Sequence, residues 1–308
     1  MFSFTKPDGA ALNASNLLVV AFVALGSTSC SYALAVLGGI IGQPTFYKSL
    51  NLAEQGQPGY DHTAQIIGAF NGVQAAAGCI GAMFNSWSAN ALSRKRTIQI
   101  GAIITVVAAA LCGGAVNVAM FMVGRFVSGF GIGVLVTCIP VYQSELAPAE
   151  FRGLMVCMHG VMFGVGYSLS SWLNFALFFV QNSTFPWRFP MAFQCVPAII
   201  VLVGSPWLPF SPRWLMSKGR EKEAEEVLKK LHSRKGTDDT VHHDVALKEL
   251  REIKEQLERD EETRRNMGRW ELFKTPANRK RTFIAGSMMW FNMFTGVSNQ
   301  TLVSWVPA

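Results

Sequence analysis

Two ionisable side chains stand where the sequence otherwise reads as helix of the lipid phase. Arg125 lies inside the run GRFVSGFGIGVLVTCIPVYQSELAPAEFRG, from Gly124 to Gly153, and Glu145 closes the apolar part of that run. A guanidinium or carboxylate at such depth is costly, so these groups face a bundle interior or a water-filled path and mark routes for solutes or ions. The chemistry open to them is non-covalent: pairing, gripping an anion, or orienting a polar solute. No nucleophile, metal cluster or pair of catalytic carboxylates accompanies them, so the chain reads as a non-enzyme with no cofactor and no metal. His242 and His243 adjoin each other without a third ligand placed to complete a metal site. GFGIG at 129–133 has no strand before it and is not a dinucleotide loop.

The elements that position these residues follow from composition. Hydrophobic residues make up 50% of the 308 and charged residues 15%, with a mean hydropathy of +0.26, which is a membrane chain. The formal charge of +7 arises largely between Arg213 and Arg281, where acids are interleaved with the bases. That pattern is a solvated helical face rather than a phosphate-binding stripe, so nucleic acid is not a partner. The six cysteines fall one to each apolar segment and read as small reduced hydrophobes.

Apolar runs near 17–42, 64–90, 97–117, 119–142, 154–180 and 189–209 each approach the roughly 20 residues that cross a bilayer core, and a seventh runs near 282–306. The predicted fold class is an all-α membrane protein: a six-helix bundle over 17–209, a helical loop over 210–281 and a seventh transmembrane helix over 282–308, preceded by a tail over 1–16. Arg94, Lys95 and Arg96 lie between the second and third runs and Arg152 between the fourth and fifth, while the alternate loops carry only Lys48 and Arg188. The positive-inside rule then puts the N-terminus and the 210–281 loop in the cytoplasm. In that loop Ala224, Val227, Leu228 and Leu231, and then Ala246, Leu250, Ile253 and Leu257, recur at helical spacing, with a polar turn at 235–238 between them.

Glycines within the spans predict close helix contacts: Gly68, Gly72, Gly78 and Gly81 in the second, and Gly129, Gly131 and Gly133 in the fourth. Asn71, Gln74, Asn174 and Gln194 either line a cavity or bond neighbouring helices.

Gly124-Arg125, Gly129, Gly131, Gly133, Pro140, Tyr142, Glu145, Pro148 and Arg152-Gly153 together resemble the fourth-helix signature of the sugar-porter branch of the major facilitator superfamily. Pro209-Phe210-Ser211-Pro212-Arg213-Trp214-Leu215 resembles that family's Pro-Glu-Ser-Pro-Arg-Trp-Leu motif, and the Gly-Gln-Pro-Thr-Phe-Tyr run at 42–47 has the look of fungal members. The resemblance implies twelve helices in two halves, a sugar or related polyol bound between them, and alternating access. This sequence would supply the first half, the inter-half loop and the seventh helix. The expectation is a chain that does not transport alone, either a piece of a longer protein or a half-protein that pairs with a complementary C-terminal half, in the lipid bilayer of the plasma membrane.

Departures from the pattern set further expectations. Proton-coupled members place a carboxylate on the first helix opposite the fourth-helix arginine; the matching residues here are Ser31-Tyr32-Ala33. Arg125 must then be hydrated, bonded to backbone carbonyls or matched to an anion. A passive or proton-independent mechanism is the leading expectation, beside an alternative in which a non-transporting sensor recruits partners through the cytoplasmic loop. The resemblance implies a charge network of Arg94, Lys95, Glu145, Arg152 and Arg213, thinned because Phe210 replaces the family's glutamate. It implies substrate contacts at Arg125, at the fifth-helix position Gly160 beside His159, and in the seventh-helix cluster at Asn292, Met293 and Ser298, where the usual amides are mostly lost.

Overall fold

The computed structural model describes residues 14–54, 56–147, 151–180, 183–232, 239–266 and a few positions between 276 and 287. Among the described residues the regular structure is helical: α1 (Ala14–Ile40), α2 (Pro44–Ser49), α3 (Tyr60–Ala91), α4 (Arg94–Gly113), α5 (Val118–Leu146), α6 (Arg152–Phe178), α7 (Phe185–Phe193), α8 (Cys195–Gly204), α9 (Pro212–Ser217), α10 (Glu221–His232) and α11 (Asp239–Asn266). Among the described residues six segments are long and apolar enough to cross a membrane: Asn16–Ile40, Tyr60–Ala91, Arg94–Gly113, Val118–Leu146, Arg152–Phe178 and Phe185–Trp207. Even the shortest, with 20 residues, extends about 30 Å, the thickness of a hydrocarbon core. The seventh predicted span, the 235–238 turn and the seventh-helix residues Asn292, Met293 and Ser298 lie outside the described residues.

The sixth span departs from the continuous run expected over 189–209. It begins at Phe185, and its helix is interrupted at Gln194 between α7 and α8 before a single 3₁₀ turn over Ser205–Trp207. Pro197 has no N–H to give the carbonyl four residues back, and its ring crowds that carbonyl, which favours a break here although α5 runs through Pro140 without one.

Two contiguous units are present, Met1–Leu247 and Lys248–Ala308. In the first, α5 is the central post: it packs on α3, α4, α1 and α6, and α1 packs along α6. The apolar core runs along these contacts through Val23, Ala33, Ile98, Leu135, Ile139 and Tyr142. Of the most apolar stretch in each helix, 61% is buried in α1 and 56% in α5, but only 22% in α3 and 17% in α6, which identifies α3 and α6 as flanking helices with large uncovered apolar faces. Ile80, Met83 and Trp87 on α3 and Val161, Trp172 and Phe175 on α6 are exposed there.

Glycine sets the closest contact. A Cβ at Gly129 would run into the backbone of Gln74, and one at Gly133 into the backbone of Gly78, so these two positions let α5 meet α3 main chain to main chain. Gly81 answers from α3 against Phe130, and Gly131 faces Thr105 of α4. Gly68 and Gly72 do not share this role: both are exposed and nothing lies within 4 Å of a Cβ at either, while Phe70 and Asn71 between them face α5.

At the end opposite Arg94, α2 caps the bundle. Phe46 meets Tyr47, Phe121 and Trp187 edge to face, and Phe70 meets Phe121. Trp187 Nε1 donates to Ser49 Oγ at 3.1 Å, and Tyr47 Oη donates to the Ile41 carbonyl at 2.9 Å. Burial, with the Tyr60 and Glu54 charges behind it, pushes the Tyr47 phenol up to about 12, so it stays a neutral donor. After α8, α9 and α10 pack together by Trp214, Leu215, Ala224 and Leu228, and α10 and α11 cover the two stretches predicted as amphipathic. In the second unit, described through the later part of α11, Arg259 pairs with Glu255 one turn away.

Candidate functional site: a charged end and a buried arginine

A two-residue link, Leu92 and Ser93, joins α3 to α4. Ser93 adopts φ +95°, a conformation L side chains rarely hold, while its Oγ caps α4 by accepting the Arg96 N–H. That turn delivers Arg94 onto α5. Arg94 NH2 lies 2.9 Å from Glu145 Oε1 and its Nε donates to the same oxygen at 3.1 Å, while NH1 donates to the Ala89 carbonyl at 3.0 Å. All three guanidinium nitrogens are used. The side chains are 12% and 8% exposed, so this pair is shielded and screened little by salt. Glu145 Oε2 is buried and has no partner among the described residues.

Lys95 turns the other way. Its Nζ donates to the Pro206 carbonyl at 2.7 Å and stands 5.0 Å from the Phe210 ring centroid. Phe210 stacks on Trp214 at 5.8 Å and 22°, and Lys218 sits 6.0 Å from the Trp214 centroid. Trp214 Nε1 donates to the Asn90 carbonyl, and Tyr142 Oη donates to the Pro209 carbonyl. The segment 206–214 is thus tied to the α3–α4 turn through carbonyls and ring faces, with an aromatic ring where the resemblance implies an acid. Arg213 is partly buried on the first turn of α9. Arg152 is exposed at the start of α6 and forms no ion pair among the described residues.

Arg125 stands elsewhere on α5 and is 1% exposed. Its NH1 donates to the Ala33 carbonyl at 3.3 Å and its NH2 to Asn71 Oδ1 at 3.4 Å, while Nε has no partner. Two of its three nitrogens thus bond a backbone carbonyl and a side-chain amide. Among the described residues no carboxylate lies within ion-pair distance. Gln74 of α3 also donates to the Ala33 carbonyl, at 3.4 Å. Both Arg125 bonds are long for charge-assisted contacts, which run about 2.7–2.9 Å. The remaining intraspan amides divide: Asn174 bonds the Ser170 carbonyl of its own helix, and Gln194 is buried with neither amide atom bonded among the described residues.

On α6, His159 is half-buried and its Nδ1 lies 2.7 Å from Ser27 Oγ of α1. Its ring is followed along α6 by Phe163 at 5.4 Å and, beyond it, by Tyr167 at 6.0 Å from Phe163. Gly160 is exposed, with open space where a Cβ would point. The structure therefore joins Arg94 to Glu145 and places Arg125 and His159 separately, each bonded to α1.

Sequence reasoning missed Ser27 and the Lys95–Phe210 contact. The signal for Ser27 was the hydroxyl-rich run Ser27-Thr28-Ser29-Cys30-Ser31 inside an apolar span, where Ser27, Ser29 and Ser31 are all fully buried. For Phe210, an aromatic one turn before Trp214 and a lysine in a short loop were both visible, but not their contact.

A family model described as "Sugar (and other) transporter" matches residues 19–304. The MFS-type transporter criB of Aspergillus cristatus is 30% identical over 271 residues, covering 88% of this chain and 57% of that protein. The arabinose-proton symporter of Escherichia coli is 34% identical over 220 residues, covering 71% of this chain and 43% of the symporter. A structure of the proton:xylose symporter XylE bound to 6-bromo-6-deoxy-D-glucose superposes with a TM-score of 0.73 at 23% identity, over 85% of this chain and 57% of that one, a likeness of fold. The chain spans about half the length of the curated relatives it matches. With a family model matching almost from end to end, on the bundle that carries Arg125 and the Arg94–Glu145 pair, this chain belongs to the sugar (and other) transporter family of the major facilitator superfamily.

Proposed function

We propose that this chain forms the first half of a transporter that carries a sugar or related polyol across a membrane by alternating access, without drawing on a proton gradient. The observation that carries the second clause is the surroundings of Arg125: a carbonyl, an amide and no carboxylate among the described residues. A group that takes up a proton during the cycle is what coupling needs, and an alanine stands where the resemblance implies one. The names of the relatives, which are transporters and sugar symporters, favour transport over the sensor alternative.

On this reading 17–209 is the bundle, 210–281 the loop between halves and 282–308 the seventh helix, and the chain is not an enzyme. Arg94, Glu145, Lys95, Arg152 and Arg213 form the network that steadies the cytoplasmic closure. Arg125, His159, Gly160, Asn292, Met293 and Ser298 contribute polar groups to the sugar path, and a complementary C-terminal half completes it. The basic ends of the spans support a cytoplasmic N-terminus, and the family supports the plasma membrane.

The test is uptake of radiolabelled D-glucose and D-xylose into liposomes holding the chain, alone and extended by any sequence its gene encodes beyond Ala308. Saturable uptake by either preparation, lost in Arg125→Ala, is expected. No saturable uptake by either overturns the reading.

A further inference from the structure

Ser27 is fully buried in α1, and its hydroxyl has one hydrogen-bond partner among the described residues, His159 Nδ1 at 2.7 Å. A buried O–H that donates nowhere is costly. No other acceptor within the described residues takes this proton, so the hydroxyl donates to Nδ1, and Nδ1 must then be the unprotonated nitrogen of a neutral imidazole. The proton of the ring sits on Nε2. That atom bonds nothing among the described residues, yet it is not among the sealed, unpartnered polar atoms, so it keeps access to the surface. Phe163, 5.4 Å away on the next turn of α6, packs against the α1–α5 core and limits how far the imidazole can swing. Two helices therefore hold the ring: α6 supplies it, and α1 fixes its tautomer and its angle.

We propose that Ser27 is a positioning residue, which holds His159 as the Nε2–H tautomer so that this N–H is offered as a hydrogen-bond donor to a hydroxyl of the transported sugar. The inference rests on the sugar-transport reading for the identity of the acceptor, and on the Ser27–His159 geometry alone for the tautomer. A neutral polyol is gripped by fixed donors and acceptors, and a donor fixed in direction loses less entropy on binding than a free imidazole.

The test uses the full chain, ¹⁵N-labelled at histidine, in detergent micelles at neutral pH, with His159→Gln to assign the signals. The wild type is expected to show a pyridine-like Nδ1 and a pyrrole-like Nε2 at His159. Ser27→Ala is expected to give a mixture of tautomers, and Ser27→Thr, which keeps the hydroxyl, to restore the single form. A wild-type Nδ1–H tautomer, or one that Ser27→Ala leaves unchanged, overturns the inference. Adding D-glucose should move the Nε2 signal, and Ser27→Ala should weaken D-glucose binding by about three- to tenfold. Binding that leaves the Nε2 signal unmoved overturns the donor role. No D-glucose or D-xylose binding by the wild type counts against the sugar-transport reading and the donor role together, while the Ser27-controlled tautomer still stands or falls on the first measurement.

Discussion

Two arginines are held inside this bundle in opposite ways. Arg94 reaches Glu145 with two nitrogens and the Ala89 carbonyl with the third, at 2.9–3.1 Å. Arg125, almost completely buried, has two contacts of 3.3 and 3.4 Å and an Nε with no partner among the described residues. The first is an arginine with every nitrogen bonded, paired to a carboxylate that keeps one buried oxygen, Oε2, without a partner among the described residues, and removing half of the pair leaves a charge stranded. The second is a charge whose desolvation is only partly offset, and such a group persists where function rather than stability requires it. The difference teaches that burial of a charge does not measure its contribution to stability; the completeness of its shell does.

Six substitutions break or sharpen the contrast. Glu145→Ala strands Arg94 and is expected to cost about 3 kcal/mol, read as a lower Tm of the purified chain, with Arg94→Ala/Glu145→Ala recovering part of the loss. A Glu145→Ala protein as stable as wild type would remove the contrast. Ala33→Asp supplies the carboxylate that Arg125 lacks. In a double-mutant cycle with Arg125→Met it should show a favourable coupling of about 2 kcal/mol, and a coupling near zero would place the new carboxylate out of reach.

Arg125→Met alone is the sharper sign test. Replacing an incompletely bonded buried charge by an apolar side chain of similar length should leave stability unchanged or raise it by about 1 kcal/mol while sugar uptake is lost. A large fall in Tm would mean that Arg125 is as well satisfied as Arg94. A small effect belongs to Phe210→Ala, which takes the ring from under Lys95 and from its stack on Trp214 and should cost about 1 kcal/mol. Phe210→Glu, offering a carboxylate to the same lysine, should return the part of the loss owed to Lys95 and not the part owed to Trp214, and thermal melts of the two variants decide it.

The spans were legible because a bilayer demands about 20 apolar residues and a helix of that length is hard to mistake. Their register was legible to within a few residues, except at Gln194, where proline interrupts the sixth. That break was written in Pro190 and Pro197 but hidden by an apolar run that continues across it. Glycine spacing alone did not say which glycines are contacts: Gly129 and Gly133 meet α3 backbone, whereas Gly68 and Gly72, equally well spaced, meet nothing, because they lie on an exposed face of α3 while Phe70 and Asn71 between them face α5. The pairing of Arg94 with Glu145, 51 positions apart, came through family resemblance and not through any local rule. The Ser27–His159 bond spans 132 positions. A serine in a helix reads most simply as one bonded to its own preceding turn, as Ser31 is to the Ser27 carbonyl, so nothing local separates the two cases.

The transport proposed here proceeds without protons because Arg125 has no acid among the described residues to share one with. Its most direct measurement is D-glucose uptake into liposomes holding the active preparation, with and without an imposed inward proton gradient. The account predicts equal initial rates, a plateau at equal inside and outside concentrations, and no response to a protonophore. Accumulation above the outside concentration that the proton gradient drives and a protonophore abolishes would contradict it.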